Sequence, residues 1–303
     1  MYLFTINMVV DQLGIPFFLI VVYVTIKYKT LHGICHKLIG IYAVCCILSK
    51  IQIIPPWLVM ITNIQIPLWL CALTDTIPIA GSFNIYSLMF MIAVDRISSM
   101  YSIRGDSFHL PLMYGISSLF PLTFIIFVFI NVIQDPKRLN SCCLEDLLTK
   151  EGQKIFHNAC LIFNLITLIC YILMILKVIW DINKGKINNL KLSLFKSLTI
   201  IMGIQIFGYL FSLIFYNLID KGIFDNLNET QKPLIVLLIN CISSLSTTSE
   251  VPALFLSSTE HRNALKKIFG FNTLNFQPKI KKNILENKKI IVPKLIKNEL
   301  IIY

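Results

Sequence analysis

Residues 68–96 read LWLCALTDTIPIAGSFNIYSLMFMIAVDR. Between 68 and 94 there is one charged residue, Asp75, and the run closes on Asp95 and Arg96. A helix rises about 1.5 Å per residue, so about 20 apolar residues cover the roughly 30 Å of hydrocarbon in a bilayer. The stretch is long enough to cross a membrane. Outward from it, further apolar stretches fall near 12–26, 36–60, 110–133, 155–179, 195–219 and 233–256. The expected fold is therefore an all-α membrane protein, a seven-transmembrane helix bundle.

Composition supports that reading. The 303 residues are 56% apolar and 14% charged, with a mean hydropathy of +0.74, whereas an ordinary soluble domain is about 25% charged. A soluble fold has no way to hide so much apolar surface. The first apolar segment runs on into a basic flank and not toward a small-residue cleavage site, so it is expected to serve as its own targeting signal. The second carries Pro55-Pro56 near its far end, where a kink is expected.

Lysine and arginine set the orientation. The segments 27–37, 95–109 and 177–196 with the tail after 258 hold 20 Lys/Arg and six Asp/Glu, and the opposite side holds six and eight. The positive-inside rule makes the basic side cytoplasmic and leaves the amino terminus outside. The net charge of +11 then reflects topology, and no nucleic-acid partner is implied. Asn228-Glu229-Thr230 is a glycosylation acceptor in the last segment assigned to the outside. The expected organisation is a membrane domain over 1–258, a cytoplasmic amphipathic helix over 259–276, and a basic disordered tail over 277–303.

Charged residues within spans are expensive, and each is a functional candidate. Asp75, Pro78 and Ser82 share one helical face. Lys50 lies about 20 Å into the second span and is expected to reach toward Asp75, either as a buried pair or as a ligand anchor. Lys50, Asp75, Ser82 and Ser243 are the candidate ligand pocket. Glu250 sits two residues before Pro252, in a span rich in Ser and Thr, and the two are candidates for an activation relay. The nine cysteines show no paired short spacing of the metal-binding kind. Neither a Ser/His/Asp grouping nor a glycine-rich phosphate loop is evident, so no metal, cofactor or enzymatic activity is expected.

Several short motifs then point to a family. Ile92-Ala93-Val94-Asp95-Arg96-Ile97 ends span three, and Cys71 precedes Arg96 by a fixed offset. This is similar to rhodopsin-like G-protein-coupled receptors. The closer resemblance, from Lys27 onward, is to nematode serpentine chemoreceptors of the srsx class. It rests on Cys35-His36-Lys37-Leu38-Ile39-Gly40, Asp95-Arg96, Asn164 with Tyr171, Lys196-Ser197-Leu198, and Ser258-Thr259-Glu260-His261-Arg262. The resemblance implies that Asp95, Arg96 and Lys196 couple to a heterotrimeric G protein, and that Cys71 forms a disulfide with Cys142 or Cys143. It also implies that Ser258, Glu260, His261 and Arg262 open the cytoplasmic helix. Cys46, Val251-Pro252 and the absence of Cys-Trp-x-Pro in span six depart from the rhodopsin-like pattern. The implied function is a chemoreceptor for an external small molecule or peptide, multi-pass in a plasma membrane such as that of a sensory neuron. The alternative reading is a small-solute transporter or channel using Lys50, Asp75 and Glu250.

Overall fold

The computed structural model describes residues 2–101, 109–140, 142–184, 189–220 and 231–270. The chain divides into two compact units, Met1–Leu265 and Lys266–Tyr303. The first carries all of the spans. Of the second only Lys266–Gly270, the end of the last helix and the turn after it, are described.

Span one is two helices in line, α1 (Tyr2–Gln12) and α2 (Gly14–Lys27). Pro16 lacks the N–H that would reach the carbonyl of Gln12, so the ladder is interrupted there. Span two is likewise α3 (Ile34–Ile51) and α4 (Ile54–Thr62). Pro55 falls in the first turn of α4, where a missing N–H costs nothing. Asn63 ends α4 in the left-handed conformation at φ 53°.

Two residues of strand β1 (Ile66–Pro67) lead into α5 (Leu68–Met100), which is span three. Then follow α6 (His109–Gln134), β2 (Leu139–Asn140), α7 (Leu144–Asn183), α8 (Asn189–Asp220), α9 (Gln231–Ser257) and the short α10 (Thr259–Ile268). Six spans are long and apolar enough to cross a bilayer, and α8 contributes the shorter apolar run Ile206–Ile219. Together they make a seven-transmembrane helix bundle. The apolar window of α5 is 67% buried, against 17–39% in the other five, so α5 is the central helix. Large apolar side chains such as Ile133, Ile162 and Leu256 are exposed on the outer faces, an arrangement that a bilayer stabilises and water does not.

Small residues set the closest approaches. A methyl at Gly81 of α5 would stand 2.5 Å from Leu48 Cβ, so only glycine lets α3 and α5 pack as they do. Phe83 of α5 meets Phe124 of α6 and Phe156 of α7 with ring centroids 4.9 and 4.4 Å apart. Leu147 and Leu148 cap this cluster and are 0% and 2% exposed.

The α6–α7 connection is more ordered than a simple loop. β2 pairs antiparallel with β1, Ile66 opposite Asn140. The Asn131 side chain donates to the carbonyls of Leu147 (2.8 Å) and Asp146 (3.1 Å). Thr149 at φ 64° then turns the chain out of one short helix and into the long one within α7. A disulfide joins Cys71 of α5 to Cys142, with Cα atoms 5.4 Å apart, and Cys143 caps α7. Replacing both Cys71 and Cys142 by alanine frees a closed segment of 71 residues in sequence and is expected to cost about 2–4 kcal/mol. Thermal unfolding in detergent measures it. An unchanged midpoint would mean that the hairpin and Asn131 hold the connection alone.

Candidate functional site

The break in span one places its polar residues against span two. Lys50 Nζ lies 2.8 Å from Asp11 Oδ1, with side-chain exposures of 5% and 17%. Gln12 Nε2 donates to the Lys50 carbonyl at 2.7 Å. A methyl at Gly14 would lie 2.5 Å from Lys50 Cε and 2.7 Å from Thr248 Oγ1, so glycine makes room for the ammonium. This corrects the expectation from sequence. Lys50 pairs with Asp11 and not with Asp75. Asp75 is 1% exposed, and its Oδ1 has no hydrogen-bond partner among the described residues.

Beside the pair is a cavity of about 110 Å³ lined by Asp11, Lys50, Tyr209, Ser243, Ser244 and Thr247, among others. Of the four expected pocket residues, Lys50 and Ser243 meet here. Ser82 instead donates to the Gln52 side chain, at the α3 terminus, and to the Pro78 carbonyl.

Below the cavity, Tyr42 donates to Glu250 Oε2 at 2.8 Å, and Glu250 is 3% exposed. Glu250 also feels the charge of Lys50. Pro252 lies inside α9 two residues further on. Lys50, Cys46, Tyr42, Leu38 and Cys35 are all buried on α3, and their spacing of three or four residues makes one continuous stripe. Tyr42 and Cys46 were not singled out as a route from sequence. The signal was there in that spacing, which Lys50 extends.

The stripe ends at Arg96 of α5. Its Nε lies 3.6 Å from Asp95 Oδ2 and donates to Cys35 Sγ at 2.9 Å. Tyr171 of α7 faces the same guanidinium. One residue along, His36 of α3 lies against His261 of α10, ring centroids 5.0 Å apart. His261 is 0% exposed. Ser258 caps α10, its hydroxyl accepting the His261 N–H at 3.4 Å and lying 2.9 Å from Nδ1. Burial opposes the charge on Glu260, but its own amide and the hydroxyls of Ser258 and Thr259 outweigh this and hold its carboxyl below the usual range. Arg262 is exposed. Lys196 lies within α8 and is described there by its backbone alone, and Asn228 lies outside the described residues. Among the described residues no cluster of His, Cys, Asp or Glu has a metal-binding arrangement.

Six membrane-length apolar spans, α5 at their centre, and the shorter apolar run of α8 define the class, a seven-transmembrane membrane protein. The family model described as serpentine type 7TM GPCR chemoreceptor Srsx matches residues 13–269, and the chain belongs to that family. No curated protein matches it.

Two outcomes follow from the site. Lys50→Ala leaves the Asp11 carboxylate buried without its partner and should destabilise the protein by about 3–5 kcal/mol. The double replacement Asp11→Asn/Lys50→Met should recover most of that loss in thermal unfolding. Additive losses would show that the two charges do not act as a pair.

The second outcome concerns pH. Burial, then His36, push the His261 imidazole down to about 4 from an ordinary 6.5, against the opposing pull of Glu260. The undocked helix therefore binds the proton more readily. Docking of α10 is complete above about pH 6.5 and is lost progressively as pH falls toward about 4. A spin label at exposed Asn263 should gain mobility over that window. Constant mobility would contradict it.

Proposed function

We propose that the protein is a chemoreceptor that takes an external small molecule or peptide at the Asp11–Lys50 centre and activates a heterotrimeric G protein at the Arg96 end. The family supports a receptor role and is not an enzyme family. The amino terminus then faces outward, and α10 lies on the cytoplasmic side of the plasma membrane. The bilayer and the G protein are the lasting partners.

The observation that carries this reading is the buried stripe on α3. It runs from Lys50 at the cavity to Cys35 at Arg96, a span of about 22 Å at 1.5 Å per residue. A ligand that draws Lys50 or Asp11 acts on a rigid helix whose other end holds Arg96. Coupling of this kind needs an element with two arrangements that both sites bias. Arg96 fits, since at 3.6 Å its bond to Asp95 is loose and its bond to Cys35 is to a weak acceptor. Lys196 on α8 is the basic residue proposed to meet the G protein beside it.

Arg96→Ala is expected to abolish agonist-stimulated nucleotide exchange while surface level and ligand binding largely persist. Exchange at matched surface levels measures it, and wild-type exchange from the variant would sink the mechanism. Orientation has its own test in sealed vesicles. Residues after 258 should resist external protease, and cleavage there from outside would reverse the topology.

A further inference from the structure

Opposite charges on spans one and two and hydroxyl-bearing residues of α8 and α9 surround one small space. We infer that the cavity beside Asp11 and Lys50 is a site for a small zwitterion of the size of a two- or three-carbon amino acid, its carboxylate on Lys50 and its ammonium on Asp11. The inference rests on the receptor reading above and names the ligand class of that site.

Charge balance selects the class. Asp11 and Lys50 form a contact pair at 2.8 Å with little access to solvent. A simple anion drawn to Lys50 would leave the part-buried Asp11 carboxylate without its cation, and a simple amine drawn to Asp11 would leave Lys50 with no anion but the more distant Glu250, which Tyr42 engages. Either outcome is strongly unfavourable in so dry a setting. A zwitterion inserted between the two turns one ion pair into two and keeps the net charge of the site unchanged.

The lining fits the same ligand. Ser243, Ser244 and Thr247 of α9 and Tyr209 of α8 line the cavity; the Thr247 hydroxyl donates to the Ser244 carbonyl and keeps its lone pairs, and a free hydroxyl can both donate to a carboxylate and accept from an ammonium. Three of these lie on one helix, at the level of the ion pair. Gly14 and Thr248 close the site on the Lys50 side, where even a methyl at Gly14 would overlap the lysine. The ammonium is thus held from behind, with its free directions toward Asp11 and the cavity.

Volume sets the upper size. The cavity measures about 110 Å³. A site of about 150 Å³ holds the six carbons of a benzene ring and a water takes about 30 Å³, so this one accepts about four non-hydrogen atoms, with roughly one or two more at its open mouth. Glycine and alanine fall in that range, and phenylalanine exceeds it.

The test uses the full chain in phosphatidylcholine nanodiscs, with binding of labelled glycine and alanine read alongside the unfolding midpoint. The expected result is saturable binding of one or both at millimolar concentration or below. Acetate, ethylammonium and phenylalanine should each bind at least tenfold more weakly. Because Asp11→Asn or Lys50→Gln alone leaves a lone buried charge, the decisive variant is the double Asp11→Asn/Lys50→Gln, which keeps shape and neutrality. It should fold and lose at least tenfold in affinity for the amino acids. Three results would overturn the inference: wild-type affinity in the double variant, acetate or ethylammonium binding as tightly as glycine, or no binding of either amino acid at millimolar concentration. Nucleotide exchange driven by other chemicals in the same preparation would, beside any of these, leave the receptor reading standing while removing this site.

Discussion

A lysine ammonium inside a membrane protein must find an anion, and the pairing of Lys50 with Asp11 organises what surrounds it. Asp11 lies in the last turn of α1, at its junction with α2. To make room for the ammonium, position 14 has no side chain. The Gln12 amide then bonds the Lys50 carbonyl, so the first two spans are tied through backbone as well as charge. The third partner is α9, which approaches closely enough for Thr248 to share the Gly14 gap. Spans one and two are thus tied by one charge pair, and span seven packs beside it.

The consequence reaches the far end of α3. Helices transmit displacement because their hydrogen bonds resist stretching, and α3 carries Lys50, Tyr42 and Cys35 on one buried face. Tyr42 bonds Glu250 of α9, and Cys35 bonds Arg96 of α5. A rotation or shift of α3 would therefore be felt by α9 in the middle of the bundle and by α5 at its end. The two contacts differ in strength. A phenol bonded to a buried carboxyl is short and directional, whereas a thiol is a weak acceptor for a guanidinium. Of the two contacts, the one at Arg96 is the weaker.

The bundle was legible in the sequence because length and hydropathy decide it, and these are properties of long segments. What the sequence could not decide were pairings between segments. Lys50 had two carboxylates within axial reach, Asp11 and Asp75, and rise along a helix does not reveal rotation about it. Asp11 and Gln12 are polar residues that interrupt an apolar run, and that interruption is the available clue. The β1–β2 pair was invisible for a different reason, since two residues per strand carry no alternation to detect. Span two reads as one apolar run in sequence, yet Pro55 and Pro56 make it two helices, because a second proline leaves the ladder no register in which to continue.

Unmet polar groups are unevenly spread through the interior. The polar atoms that tie the α6–α7 connection are satisfied, with Asn131 bonded twice and Arg138 bonded to the Asp146 carbonyl. Along the route from the cavity to Arg96 the pattern is reversed. Glu250 Oε1, Thr248 Oγ1 and Tyr171 Oη make no hydrogen bond among the described residues. Each such group disfavours the arrangement that holds it and favours another in which it finds a partner. Others lie away from that route, among them Asn7 Oδ1, Asp75 Oδ1 and His261 Nε2. If the bundle has a second arrangement of similar free energy, these are the groups that would gain partners in it.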